Sequence, residues 1–99
     1  MRLTTQENNV IKAAVRTVFG PEAQVRVFGS KTDDTAKGGD IDLMVTVPHA
    51  VSQPAWDVAR AKAKIIMNLG ECEIDLLLDA PNLSKLPIHQ IARDQGIIL

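Results

Sequence analysis

Apolar and polar positions alternate along the chain in two rhythms, one of helical and one of extended spacing. Val10, Ile11, Ala14, Val15, Val18 and Phe19 recur every three or four residues and predict a helix over the first twenty residues. Thr4 with Glu7 fits a capping box, in which each side chain satisfies the other's backbone amide, and Gly20-Pro21 stops the helix. Val25 to Phe28 is a short β-rich run leading into Gly29-Ser30. Residues 31–37 are polar and could form a short helix before Gly38-Gly39. Asp40 to Val47 alternates with period two and predicts a strand. Pro54 to Leu69 predicts a second long helix, with Pro54 near its start, Gly70 just past its end, and Val58, Ala61, Ile65 and Leu69 on its apolar side. Glu71 to Leu78 predicts a third strand, Ile88 to Gln95 a short helix closed by Gly96, and Ile97 to Leu99 a last β segment. The elements predict an α/β (α+β) sandwich: a small mixed sheet with helices packed on one face, residues 1–99 forming a single domain.

Period two also assigns faces. In the second strand Ile41, Leu43, Val45 and Val47 share one face, and Asp40, Asp42, Met44 and Thr46 the other. In the third strand Cys72, Ile74, Leu76 and Leu78 share the apolar face, leaving Glu73, Asp75, Leu77 and Asp79 opposite. If the two strands are neighbours under the same helices, Asp40, Asp42 and Asp75 are forced onto one face. Strands lie about 4.8 Å apart and residues two apart about 7 Å, so ionised carboxylates there repel one another or bind a cation. Hard oxygen ligands in a half-open site suit Mg²⁺, which keeps positions for water and phosphate. Taken alone, Asp-x-Asp on a strand is more often a solvated face than a metal site. Asp has poor β-propensity, however, and two of them opening a strand after Gly-Gly are a local cost that surface polarity does not require.

Composition narrows the partners. The chain has 99 residues, 11 Lys and Arg against 12 Asp and Glu, and a net charge of −1. That balance lacks the basic excess of a protein that grips nucleic acid by its phosphates. Aromatics are 3% and Tyr is absent, which leaves no base-stacking platform, so nucleic acid is not an expected partner. A single cysteine, Cys72, fits a reducing compartment, and the N-terminus has no apolar signal region. No apolar run approaches the roughly 20 residues of a membrane span. A cytoplasmic location with no membrane partner is expected.

Gly29-Ser30 adds a second half to the candidate site. A glycine there lets phosphate approach the backbone, a helix N-terminus just after it would offer free amides, the Ser30 hydroxyl is another donor, and Lys31 could add a positive charge. The pair alone reads as a plain turn; the downstream acids change its weight. A P-loop is excluded because Ser30 separates Gly29 from Lys31. An EF-hand is excluded because Leu43, Met44 and Val45 stand where ligands and a glycine are needed.

Phe28-Gly29-Ser30, nine residues, Asp40-Ile41-Asp42-Leu43, and then Ile74-Asp75-Leu76 together resemble the signature of the DNA polymerase β-type nucleotidyltransferase superfamily. The size and element order resemble its minimal nucleotidyltransferases. The resemblance implies a nucleotidyltransferase fold. It also implies that Gly29 and Ser30, with Lys31 beside them, hold the β- and γ-phosphates of a nucleoside triphosphate. Asp40, Asp42 and Asp75 would be the catalytic acids and the ligands of two Mg²⁺ ions. The implied reaction is in-line attack of a hydroxyl on the α-phosphorus, releasing pyrophosphate. Lys31 stands where relatives often carry Arg and lacks the bidentate fork. Glu73 is a weaker candidate than Asp75 because it does not sit between two aliphatic residues.

Minimal members of the superfamily often act as the antitoxin beside an all-helical HEPN-type toxin encoded nearby. The resemblance therefore implies transfer of AMP from ATP to a Tyr of such a partner, and this chain has no Tyr of its own. The catalytic core would use nearly all 99 residues, so the acceptor side is expected from another protein or a second copy in a homo-oligomer. The alternatives are a non-catalytic antitoxin that neutralises its partner by contact, or a small-molecule nucleotidyltransferase. Elsewhere, His49 and His89 read as surface residues rather than ligands. Trp56 reads as core or interface, Arg60 and Lys64 as solvated, and Cys72 as inert core.

Overall fold

The computed structural model describes residues 3–29, 40–70 and 73–99, Asp40 by its backbone alone. Among the described residues there are three helices and four strands. They run α1 (Thr5–Phe19), β1 (Gln24–Phe28), β2 (Asp40–Thr46), α2 (Pro54–Leu69), β3 (Glu73–Asp79), α3 (Pro87–Gln95) and β4 (Ile97–Ile98). The short helix expected over 31–37 and the placement of Cys72 lie outside the described residues. No described helix is long and apolar enough to cross a membrane.

Each long helix starts and stops where its sequence signals place it. The Glu7 amide donates to Thr4 Oγ1 at 3.1 Å and the Thr4 amide to Glu7 Oε1 at 2.9 Å, closing the capping box of α1. Pro54 occupies the first turn of α2, where its missing N–H would have no partner, and the Gly70 amide closes the helix on Ile66 O at 2.9 Å.

The sheet is mixed, in the order β3-β2-β1-β4. β1 pairs antiparallel with β2 and with the short edge strand β4, while β2 and β3 are parallel. A parallel pair needs a crossover, and α2 supplies it. Ile41 lies beside Ile74, Leu43 beside Leu76 and Val45 beside Leu78. These residues join Val25, Val27, Ile11, Val15, Ala61 and Ile65 in one core under α1 and α2. Ile11, Leu43, Val27 and Ile65 are fully buried, and truncating such an aliphatic side chain to Ala typically costs about 2–5 kcal/mol.

The two long helices therefore cover one face, as the periodicity predicts. The short α3 covers part of the other. Gly96, at its end, packs against Arg26 Cβ, and Arg93 reaches Asp79, both on the face opposite the main core. Met44, on that same face, is fully buried with Ala92 of α3, so the face assigned to polar side chains is half closed.

His89 corrects the surface reading. It is 5% exposed; its Nδ1 accepts the Leu86 amide at 2.9 Å, and its Nε2 lies 3.1 Å from Leu78 O. A ring nitrogen that accepts leaves the proton on the other, so Nε2–H donates to the strand carbonyl. The imidazole thus staples the first turn of α3 to the end of β3. His49 is exposed, as expected.

Asp79 is the second anchor. It is 3% exposed and is bonded by Lys85, Arg93 and Thr46 Oγ1. Burial alone would favour the neutral acid. The hydrogen bonds and charges of Lys85 and Arg93 outweigh it and hold the Asp79 carboxyl below the usual carboxylate range. A carboxyl lowered on folding stabilises the native state above its unfolded pKa, and this contribution is lost as the pH falls through the lowered value. Asp79→Asn should therefore flatten the acid limb of the stability curve below about pH 4. Asp79→Ala should cost about 1–3 kcal/mol at neutral pH, because both cations are half exposed and recover water. Thermal melts across pH 2–7 check both; an unchanged acid limb in Asp79→Asn rejects the anchoring role.

Candidate functional site

Strand register brings two of the sequence-predicted acids, Asp42 and Asp75, side by side. β2 is flanked by β1 and β3, so Asp42 has Phe28 on one side and Asp75 on the other. One rung earlier Asp40 pairs with Glu73. Parallel neighbours in register point their side chains to the same face, and the burial of Ile74 and Leu78 fixes which face that is. Asp75 and Glu73 are exposed and Asp42 is half buried. The side chain of Asp40, and Ser30 and Lys31 entirely, lie outside the described residues.

Gly29 ends β1 immediately beyond Phe28, the partner of Asp42. Its φ is +71°, a region costly for any residue with a Cβ. A Cβ built there would overlap Asp42 Oδ2 and lie 3.1 Å from Asp42 Cγ. The backbone angle favours glycine outright, and any larger residue would also have to displace the Asp42 carboxylate. This contact joins Gly29 to the acid rung.

The site sits at the open half of a divided face. Toward the C-terminal ends of β2 and β3, Met44 and Asp79 are covered by α3; toward the N-terminal ends, Glu73 and Asp75 face solvent. The covered half fastens α3 to the sheet, and the open half leaves the Asp75 side chain exposed. Among the described residues, no three His, Cys, Asp or Glu side chains are grouped to hold a metal. Asp42 and Asp75 offer two hard oxygen donors on neighbouring strands, a donor chemistry suited to Mg²⁺.

The remaining candidates separate clearly. Arg60 is exposed and pairs with Asp57 at 3.3 Å, which fits the solvated reading, while Lys64 is half buried. Trp56 is 62% exposed, which corrects the core half of its reading. Sequence reasoning missed the anchors of α3, although Pro87 followed two residues later by His89 is a visible helix-start signal.

The nucleotidyltransferase domain family matches residues 9–96, and the chain belongs to it. No curated protein matches the sequence. Family membership makes the chain a transferase of nucleotidyl groups, a chemistry that works on nucleoside triphosphates and typically uses a divalent metal. The order of helices and strands and the mixed sheet agree with that fold.

The Gly29–Asp42 approach has a measurable signature. Gly29→Ala should cost about 1–2 kcal/mol from its backbone angle and drive the Asp42 carboxylate aside. In an Asp42→Ala background the same substitution should cost less, with a coupling of about 0.5–3 kcal/mol between the two sites. Urea denaturation of the four proteins in the cycle checks this, and strictly additive costs refute the close approach.

Proposed function

We propose that the chain is an Mg²⁺-dependent adenylyltransferase that moves AMP from ATP to a tyrosine hydroxyl of a helical, HEPN-type partner, and so acts as an antitoxin. The observation that carries the catalytic part is the placement of Asp42, which stands beside Asp75 and against Gly29. A phosphate held at the glycine turn is thereby next to two carboxylates. The absence of Tyr from the chain supports an acceptor on another molecule.

In this reading Asp40, Asp42 and Asp75 would hold the divalent ions. Bound there, the metal would neutralise phosphate charge and lower the pKa of the acceptor hydroxyl. Gly29 and Ser30 hold the triphosphate tail, Lys31 adds charge, and Glu73 flanks the rung. The acceptor oxygen attacks the α-phosphorus in line. The new O–P bond forms as the bond to pyrophosphate breaks, and the hydroxyl proton passes to a carboxylate or to water. The protein's part is placement and charge neutralisation, the main terms in phosphoryl transfer. All 99 residues act as a single domain and the reaction takes place in the cytoplasm.

Incubation of the protein and the helical protein encoded beside it with ATP labelled at the α-phosphate tests this. The expected result is label on a partner tyrosine, dependent on Mg²⁺. Asp42→Asn and Asp75→Asn should each transfer at least about 100-fold more slowly while melting like the parent. Undiminished transfer by both variants eliminates the catalytic reading. If Asp42→Asn still neutralises the partner, contact alone suffices.

A further inference from the structure

Helix α2 has two apolar faces, and the core uses one. Val58, Ala61, Ile65 and Leu69 turn inward. On the opposite side Trp56, Ala59, Ala63 and Ile66 recur at spacings of three, four and three, with Met67 beside them, and all are exposed. Trp56 is 62% exposed and Met67 83%. This spacing is that of a seam where one helix meets another, and the central alanines allow a second backbone to come close. A separate groove of about 360 Å³ between α1 and α2, lined by Val10, Ala13, Lys64 and Asn68, includes none of these seam residues.

Charge indicates what fits. Arg60, Lys62 and Lys64 flank the seam, against a single acid, Asp57, which Arg60 engages. Neither Lys62 nor Lys64 pairs with an acid among the described residues. A second copy would oppose cation to cation. We propose that the outward face of α2 is a docking surface for an amphipathic helix of another protein, apolar along its stripe and acidic on its flanks. α2 lies across the sheet from Asp42 and Asp75, so a helix docked there leaves the acid rung uncovered. The proposal stands whether or not that rung is catalytic.

Trp56 is the only tryptophan and reports directly on the surface. The probe is a synthetic three-heptad helix with Leu along its stripe and Glu on its flanks; its control carries Lys on the flanks. Adding the acidic peptide to the full chain should shift Trp56 emission to the blue in a saturable way, less so at high salt. The basic peptide should leave it unchanged. The double variant Lys62→Glu/Lys64→Glu should bind the acidic peptide about tenfold more weakly. Met67→Glu should abolish the shift with unchanged helical circular dichroism. The proposal is overturned by no shift with the acidic peptide, or by equal binding of both peptides. A dimer mass in light scattering with a concentration-dependent blue shift of the protein alone also overturns it, by assigning the face to a second copy.

Discussion

The parallel pairing of β2 with β3 is the constraint on which the rest depends. Ile41, Leu43 and Val45 lie beside Ile74, Leu76 and Leu78 under the two long helices. Burying one such side chain contributes about 1.5–3 kcal/mol. Like charges on neighbouring strands oppose the pairing, but at these partly solvated positions by less than six buried aliphatic side chains favour it. Six aliphatic side chains therefore decide the register, and Asp42 and Asp75 are carried together as a consequence. A slip of one residue would turn the acids into the core and the aliphatics into water.

Two aspartates on one strand face show how far surroundings decide chemistry. Asp75 and Asp79 are four residues apart, so they point the same way. Asp79 lies under α3, is buried, and receives Lys85, Arg93 and Thr46. Asp75 lies beyond the reach of α3 and is exposed beside Asp42. The first is held ionised by two cations and fastens a helix. The second keeps its oxygens available. The boundary between them is Met44, whose burial marks where α3 stops covering the sheet.

That boundary also divides what was legible in the sequence from what was not. Period-two alternation in β2 and β3 placed Asp42 and Asp75 on one face, and capping residues placed the ends of α1 and α2 to within a residue or two. Both signals are local, and both survive folding because burial enforces them. Which half of the acidic face is covered was not legible. It depends on where nine residues of α3 dock, and docking is settled by His89 on Leu78 and Arg93 on Asp79. Those bonds cross ten or more residues of chain and leave no periodic trace. His89 was read as surface for that reason: a histidine after Pro87 looks like a turn residue until the strand carbonyl it reaches is known. Gly29 was legible as a turn glycine, but its contact with Asp42 was not, because it joins two strands.

Trp56 differs from these. The inward stripe of α2, from Val58 to Leu69, already accounts for the crossover and the register. Folding gives no reason for Trp56, Ile66 and Met67 to be apolar, since all three remain in water in the isolated chain. Exposed apolar residues scattered singly are ordinary, but a run at seam spacing along one helix is a pattern. The same helix thus serves the fold on one side and is available to another molecule on the other. Its direction strengthens the point. α2 runs from the end of β2 back to the start of β3, so its Met67 end lies at the end of the sheet that carries Glu73 and Asp75. A helix seated along α2 would bring the molecule that carries it to the edge of the acid face without covering it.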